Sequence, residues 1–174
     1  GALPVRLVVS DVDGTLVRHD KTLAPATVAA FARLAGAGIR ATLISARPPS
    51  GMTALAATLG LDLPLGAFNG GTLFQPDGTI LSAAPLEPAL ARTALTLAGE
   101  AGVDRWYYGG GRWYVDHADN PRIRREILSA GVEPVVADPA HIAVPADKIV
   151  CVSEDAPRLA RLERRIAAAL RSPG

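Results

Sequence analysis

The chain has 174 residues, 49% of them hydrophobic and 20% charged, and a formal net charge of +1. That length suits one full domain or two small ones, and the apolar content excludes a disordered chain, which lacks the residues to fill a core. The near-neutral balance argues against nucleic acid or an anionic membrane as main partner, since both call for a strong basic bias.

Residues 5–10, VRLVVS, form a short β-branched run that reads as a buried strand of a parallel sheet. A turn at Gly14-Thr15 follows. Pro25 opens a helix over 25–36, with Val28, Phe31, Ala32 and Ala35 at helical spacing and Gly36 and Gly38 as its stop. IRATLIS (39–45) reads as a second buried strand, MTALAATLG (52–60) as a helix, and LGAF (65–68) as a third strand ending in Asn69-Gly70-Gly71. Strand and helix alternate, which predicts an α/β parallel sheet with right-handed crossovers.

The pattern changes after that. Residues 72–82 read as a hairpin turning at Pro76-Asp77-Gly78, 86–101 as a helix, and 105–115 as a second hairpin around three glycines. A helix is expected over 120–131, a strand over 147–153 and an amphipathic helix over 156–171. This half is α+β in character. The expected domains are therefore 1–84 and 85–174. There is no internal repeat or low-complexity tract. No apolar run is long enough to span a bilayer, and no secretory signal is visible. The lone cysteine, Cys151, excludes an internal disulfide and fits a reducing cytoplasm. Gly1 stands where an initiator Met belongs, which points to a trimmed start or a tag scar.

The segment VVSDVDGTLV (8–17) carries the sharpest chemical signal. Asp11 and Asp13 sit two apart just where an apolar strand ends, and ligands of parallel α/β sheets bind outside the carboxyl ends of the strands. Alternation along an extended segment turns both side chains the same way. Two converging carboxylates repel unless a cation or proton offsets them, and magnesium, with its preference for hard oxygen ligands, is suited to that. Gly14 permits a sharp turn and close backbone approach, and Thr15 offers a hydroxyl.

This segment resembles the first motif of the haloacid dehalogenase superfamily, the aspartate-nucleophile phosphohydrolases. The resemblance implies a Rossmann-like core, of which 1–84 is the N-terminal part, followed by an α+β cap domain at 85–174. It implies that Asp11 attacks phosphorus and that Asp13 protonates the leaving oxygen and then helps to deprotonate water. Mg2+ would be held by Asp11 and the backbone carbonyl of Asp13. Gly14 and Thr15 would line the phosphate site. LISAR (43–47) matches the second motif: the Ser45 hydroxyl would bond the phosphate, backbone N–H groups at Ala46 and beyond would favour an anion, and Arg47 would add charge. The match departs mildly from the Thr-Gly-Arg of large-cap families. FNGG (68–71) is similar to the Asn-Gly segment of the Cof-like branch, placing Asn69 and Gly70 beside the substrate.

The implied activity is a magnesium-dependent phosphatase acting on a small phosphorylated metabolite such as a sugar phosphate. The alternatives are a phosphosugar mutase and a phosphate-binding fragment without full catalytic equipment. The lysine and distal acidic loop of the family are missing, so the resemblance implies a longer parent enzyme. His19, His117 and His141 lack zinc-like spacing. Cys151 is expected to pack, as are Trp106, Tyr107, Tyr108, Trp113 and Tyr114, with selection of substrate as the alternative role for the rings. The arginines at 158, 161, 164, 165 and 171 read as a solvated helix face.

Overall fold

The computed structural model describes residues 4–171. Two compact units divide the chain. The first runs to Ala84 and includes Arg125–Val132; the second comprises Pro85–Arg124 and the chain from Glu133 onward.

The first unit is built on β1 (Leu7–Ser10), α1 (Pro25–Gly36), β2 (Arg40–Leu43), α2 (Thr53–Leu59) and β3 (Leu65–Ala67). β1 and β2 pair in parallel from Leu7–Arg40 to Ser10–Leu43. The parallel arrangement reaches β3 through one bridge, Ile44–Gly66. Pro25 does open α1, where its missing N–H costs nothing. The helix ends at Gly36, and Gly38, at φ +72°, lets Ile39 N–H reach back to the Leu34 carbonyl. The hairpin expected over 72–82 is β4 (Thr72–Phe74) and β5 (Ile80–Ala83), β4 pairing antiparallel with both β3 and β5 in the order β3-β4-β5. Ala41, Leu43, Phe31, Met52, Ala56, Leu65 and Phe74 make the core, with Val8 packed against it.

One expectation needs correction here. The first strand forms, but it is not buried on both sides. Val8 turns to the core, while Leu7 and Val9 on the other side stay exposed. A second difference concerns Arg125–Val132, which packs with the first unit rather than the second. The reason is close backbone contact: a Cβ on Gly51 would lie 1.9 Å from the Ser129 carbonyl oxygen, and one on Gly131 2.6 Å from that of Ser50. The Ser50 hydroxyl donates to the Ala130 carbonyl at 2.6 Å.

The second unit holds α3 (Pro88–Glu100), β6 (Asp104–Gly109), β7 (Arg112–Val115), β8 (Val135–Val136), β9 (Lys148–Val152) and α5 (Ala156–Arg171), with α4 (Ile123–Ala130) running across the boundary between the units. Its sheet has the order β8-β7-β6-β9. The 105–115 hairpin turns on Gly110-Gly111, both at positive φ, the signature of a two-residue turn matched to strand twist. α3 caps its own start: the Glu87 carboxylate accepts from Ala89 and Leu90 N–H. Ala98, Val103 and Leu162 pack together, with Cys151 and Ile166 against them. Trp106, Tyr108 and Trp113 share the opposite face of the sheet and are buried, Tyr108 stacked on Trp113 with centroids 5.8 Å apart. Among the described residues, no helix is long and apolar enough to cross a membrane.

Candidate active site

β1 ends at Ser10, and the next residue is Asp11, whose carboxylate is exposed to solvent. Val12 is fully buried and anchors the turn, its carbonyl accepting from the N–H groups of Leu16 (2.9 Å) and Val17 (3.2 Å). Gly14 sits at φ +80° with open space around its Cβ position, so conformation rather than crowding requires glycine there. The Thr15 hydroxyl donates to Asp11 Oδ2 at 3.4 Å.

Asp13 is part-buried and gripped from two directions. Arg47 donates from Nε to Oδ2 (2.7 Å) and from Nη2 to Oδ1 (2.9 Å), the two-pronged geometry that suits a guanidinium to a carboxylate. Lys21 Nζ reaches Oδ1 at 2.5 Å. The Arg47 guanidinium holds the Asp13 carboxyl down to about 2; burial opposes this, and the Lys21 ammonium adds to it. At neutral pH Asp13 is therefore ionised in this arrangement. Repulsion between the two aspartates, for which a divalent ion is the expected remedy, is already met on the Asp13 side by two cations of the chain itself. That corrects the electrostatic premise drawn from the sequence.

Arg47 is 5% exposed and also donates from Nη1 to the Gly51 carbonyl. It connects the first motif to the second and third. Its backbone N–H donates to the Ser45 hydroxyl oxygen at 3.2 Å, and its carbonyl accepts from Phe68 N–H at 3.0 Å. Ser45, 2% exposed, accepts Asn69 N–H on its own carbonyl and donates its N–H to Gly66 of β3. Phe68, Asn69 and Gly70 take positive φ values in succession, a left-handed corner costly for Phe68 and tolerable for Asn69. The structure thus joins Asp13, Ser45, Arg47 and the Phe68–Gly70 corner into one bonded cluster, and links Asp11 to Thr15. In this cluster the Ser45 hydroxyl oxygen caps a turn and Asn69 contributes its backbone. Ala46 lies exposed between Ser45 and Arg47.

Lys21 is the residue that the sequence reading misses. A polar loop between an Asp-Gly turn and a helix gives a lone lysine no signal. It is placed by a bridge between Val17 and Leu23, by Lys21 N–H donating to the Arg18 carbonyl, and by Asp20, which accepts from Thr22 N–H and hydroxyl. Its φ of +69° is unusual for a lysine.

Among the described residues there is no group of three or more His, Cys, Asp or Glu side chains able to hold a metal ion. The donors on offer, the Asp11 carboxylate and the Asp13 carbonyl, fit a magnesium ion that keeps several waters. The Asp13 carboxylate, taken up by Arg47 and Lys21, does not join that set.

The haloacid dehalogenase-like hydrolase family matches residues 8–172, and the chain belongs to that family. Its fold is similar to that of a haloacid dehalogenase-like hydrolase from Bacteroides thetaiotaomicron, 22% identical with a TM-score of 0.83, covering 97% of this chain and 65% of that one. A haloacid dehalogenase-like hydrolase from B. subtilis is 14% identical with a TM-score of 0.80, covering 95% of this chain and 67% of that one. A sugar phosphatase of HAD subclass IIB is 14% identical with a TM-score of 0.74, covering 94% and 64%. The chain therefore spans about two thirds of these structures' length. The family resemblance and the α/β fold expected from the sequence are both borne out.

Proposed function

We propose that this chain carries the nucleophile half of a magnesium-dependent phosphatase site acting on a small phosphorylated metabolite, with sugar phosphates as the substrate class. The observation that carries the reading is the Asp13–Arg47–Ser45 cluster. Two motifs 34 residues apart meet through a two-pronged ion pair beyond the carboxyl ends of neighbouring parallel strands, where α/β sheets bind ligands.

In the proposed reaction an Asp11 carboxylate oxygen attacks phosphorus. A bond forms between that oxygen and phosphorus, and the bond from phosphorus to the ester oxygen breaks. The departing oxygen takes a proton from Asp13. Water then attacks the aspartyl phosphate, its proton passes to Asp13, and the Asp11–phosphorus bond breaks to release inorganic phosphate. For Asp13 to carry a proton, Arg47 and Lys21 have to turn from its oxygens to those of the arriving phosphoryl group. A phosphoryl dianion is a stronger attractor for both cations than one carboxylate. The Ser45 O–H hydrogen remains to donate to a phosphate oxygen, and the Ala46, Asn69 and Gly70 backbone borders that position. Bound at the Asp11 carboxylate and Asp13 carbonyl, magnesium would supply charge neutralisation for the phosphoryl oxygens. The free thiol of Cys151 is consistent with a cytoplasmic setting. The α+β second unit takes the part of a cap.

A second reading is a phosphate-binding piece that is catalytically incomplete. It is favoured by the shortage of acidic ligands among the described residues and by the length of the similar structures. One experiment separates them: phosphate release from a panel of phosphorylated metabolites with magnesium, run on this chain and on the polypeptide encoded by its whole reading frame. Release by the longer polypeptide alone supports the phosphatase with this chain as its nucleophile half. Isomerised sugar phosphate without free phosphate would instead indicate a mutase. Failure of both polypeptides on every substrate would sink the enzymatic reading.

A further inference from the structure

The loop between the Asp-Gly turn and α1 is a built hairpin. Val17 and Leu23 form an antiparallel bridge, Arg18 N–H donates to the Thr22 carbonyl at 2.8 Å, and Lys21 N–H donates to the Arg18 carbonyl at 3.0 Å. A turn followed by one residue at positive φ makes a three-residue hairpin loop, and glycine takes that last position without strain. Lys21 stands there instead, at φ +69°. The Asp20 carboxylate fixes the tip by accepting from the Thr22 N–H and hydroxyl. A residue kept where its backbone is disfavoured points to a task for its side chain.

That side chain is 15% exposed, and its ammonium lies 2.5 Å from Asp13 Oδ1. Asp13 does not need it for neutrality. Arg47, itself buried, already matches the one negative charge through two hydrogen bonds to the same carboxylate. Lys21 is therefore a surplus cation, and among the described residues Asp13 is its one side-chain partner. A largely desolvated ammonium calls for an anion of its own. In the proposed reaction the Asp13 carboxyl meets the ester oxygen. Lys21, bonded to that same carboxyl, then faces the alcohol part of the substrate just beyond that oxygen. Its three N–H donors allow one bond to a phosphoryl oxygen and still leave donors for a second anion.

We infer that Lys21 determines specificity: it selects phosphate esters whose alcohol part carries a carboxylate on the carbon next to the ester oxygen. A carboxylate brings one negative charge, which matches the one surplus positive charge, whereas a second phosphate would bring about two. A neutral hydroxymethyl group in the same place would leave the ammonium without a charged partner. The inference rests on the reading of Asp11 and Asp13 as the reacting pair. It narrows the small phosphorylated metabolites to phosphorylated sugar acids and their shorter hydroxy-acid relatives.

The test uses a matched pair, 2-phosphoglycerate and glycerol 2-phosphate, which differ only in a carboxylate against a hydroxymethyl group. With magnesium, the polypeptide of the full reading frame should favour the acid in kcat/KM by roughly tenfold or more, the scale of one charge-assisted hydrogen bond. Lys21→Met should bring that ratio close to one, mainly through the KM of the acid, and Lys21→Arg should keep most of it. A parent enzyme without the preference overturns the inference, and so does Lys21→Met lowering both esters equally. A second measurement needs no turnover. The chain has two lysines, Lys21 and Lys148, so 15N-lysine labelling gives two side-chain ammonium signals, and Lys21→Met identifies the one from Lys21. That signal should move on addition of 2-phosphoglycerate and stay in place with glycerol 2-phosphate. Equal response to the two esters, or none to either, overturns the inference. A selective shift without turnover in either polypeptide keeps the recognition and removes the phosphatase. Turnover without discrimination at Lys21 does the reverse.

Discussion

Each unit of the molecule holds one arginine clamped on one aspartate by two nearly identical hydrogen bonds, and their surroundings differ. In the second unit Arg105 grips Asp116 at 2.9 and 2.7 Å, Asp116 also accepts the Arg105 backbone N–H at 2.8 Å, and a further bond runs from Arg105 to Asp138. That clamp ties strand ends to a loop. In the first unit Arg47 grips Asp13 at 2.7 and 2.9 Å, but Lys21 converges on the same carboxylate and the exposed Asp11 stands two residues away. The geometry of an ion pair does not distinguish structure from site. What distinguishes them is position at the carboxyl ends of parallel strands, and a neighbouring carboxylate left unclamped.

The comparison breaks most sharply at Asp11. Asp11→Asn in the polypeptide of the full reading frame should lower phosphate release on the order of a thousandfold or more, the scale of losing a nucleophile. The fold should persist, since the side chain is exposed and accepts one long bond from Thr15. Steady-state phosphate assays with circular dichroism on the same samples check both halves. Retained turnover would remove Asp11 from the chemistry. The matching substitution in the second unit is Arg105→Met. It strands Asp116, which is largely buried, and should cost about 2–3 kcal/mol in urea denaturation. Phosphate release per folded molecule should hold steady. A loss of turnover as large as that at Asp11 would erase the distinction between the two clamps.

Arg47→Met tests the first clamp by pH. The Asp13 carboxyl is lowered from 3.8 to about 2 in the folded chain. A depressed carboxylate contributes stability that is present above 3.8 and is lost as pH falls toward about 2. The parent chain should therefore lose stability over that window, and Arg47→Met should flatten the loss, because the Asp13 carboxyl then moves back toward its ordinary value. Urea midpoints measured across acidic pH decide the matter. An unchanged slope would mean that Asp13 is not held by Arg47 in solution.

Much of this was legible in the sequence, for physical reasons that can be named. The strand at 5–10 announces itself by β-branching, and the site by carboxylates at a strand end, because strand and turn chemistry are local. Gly110-Gly111 marks its turn for the same reason. Lys21 was not legible: it reaches Asp13 through a loop whose shape depends on a Val17–Leu23 bridge and an Asp20 turn. Nor was the transfer of Arg125–Val132 to the first unit. That depends on two glycines, Gly51 and Gly131, close-packed against carbonyls some eighty residues away in the chain. The bare side of β1 escaped for a related reason. An apolar run tells that a face wants cover, but not whether the chain at hand supplies it.

The smallest effect makes the finest comparison. Gly14 and Gly111 both take a positive φ, +80° and +73°, and both have open space where a Cβ would go. Alanine at either position should cost about 1–2 kcal/mol, the penalty of placing an L side chain in the left-handed region. The stability losses should agree because neither methyl meets a neighbour. The functional losses should not. Gly14 belongs to the turn that sets Asp11 and Asp13, so Gly14→Ala should also reduce phosphate release by the full reading-frame polypeptide, while Gly111→Ala, at the tip of the β6–β7 hairpin, should leave it unaltered. Paired urea melts and phosphate assays on the two variants measure this directly. Equal activity in both would show that the turn tolerates adjustment, and that the position of the two carboxylates is set by the Arg47 and Lys21 grip rather than by Gly14.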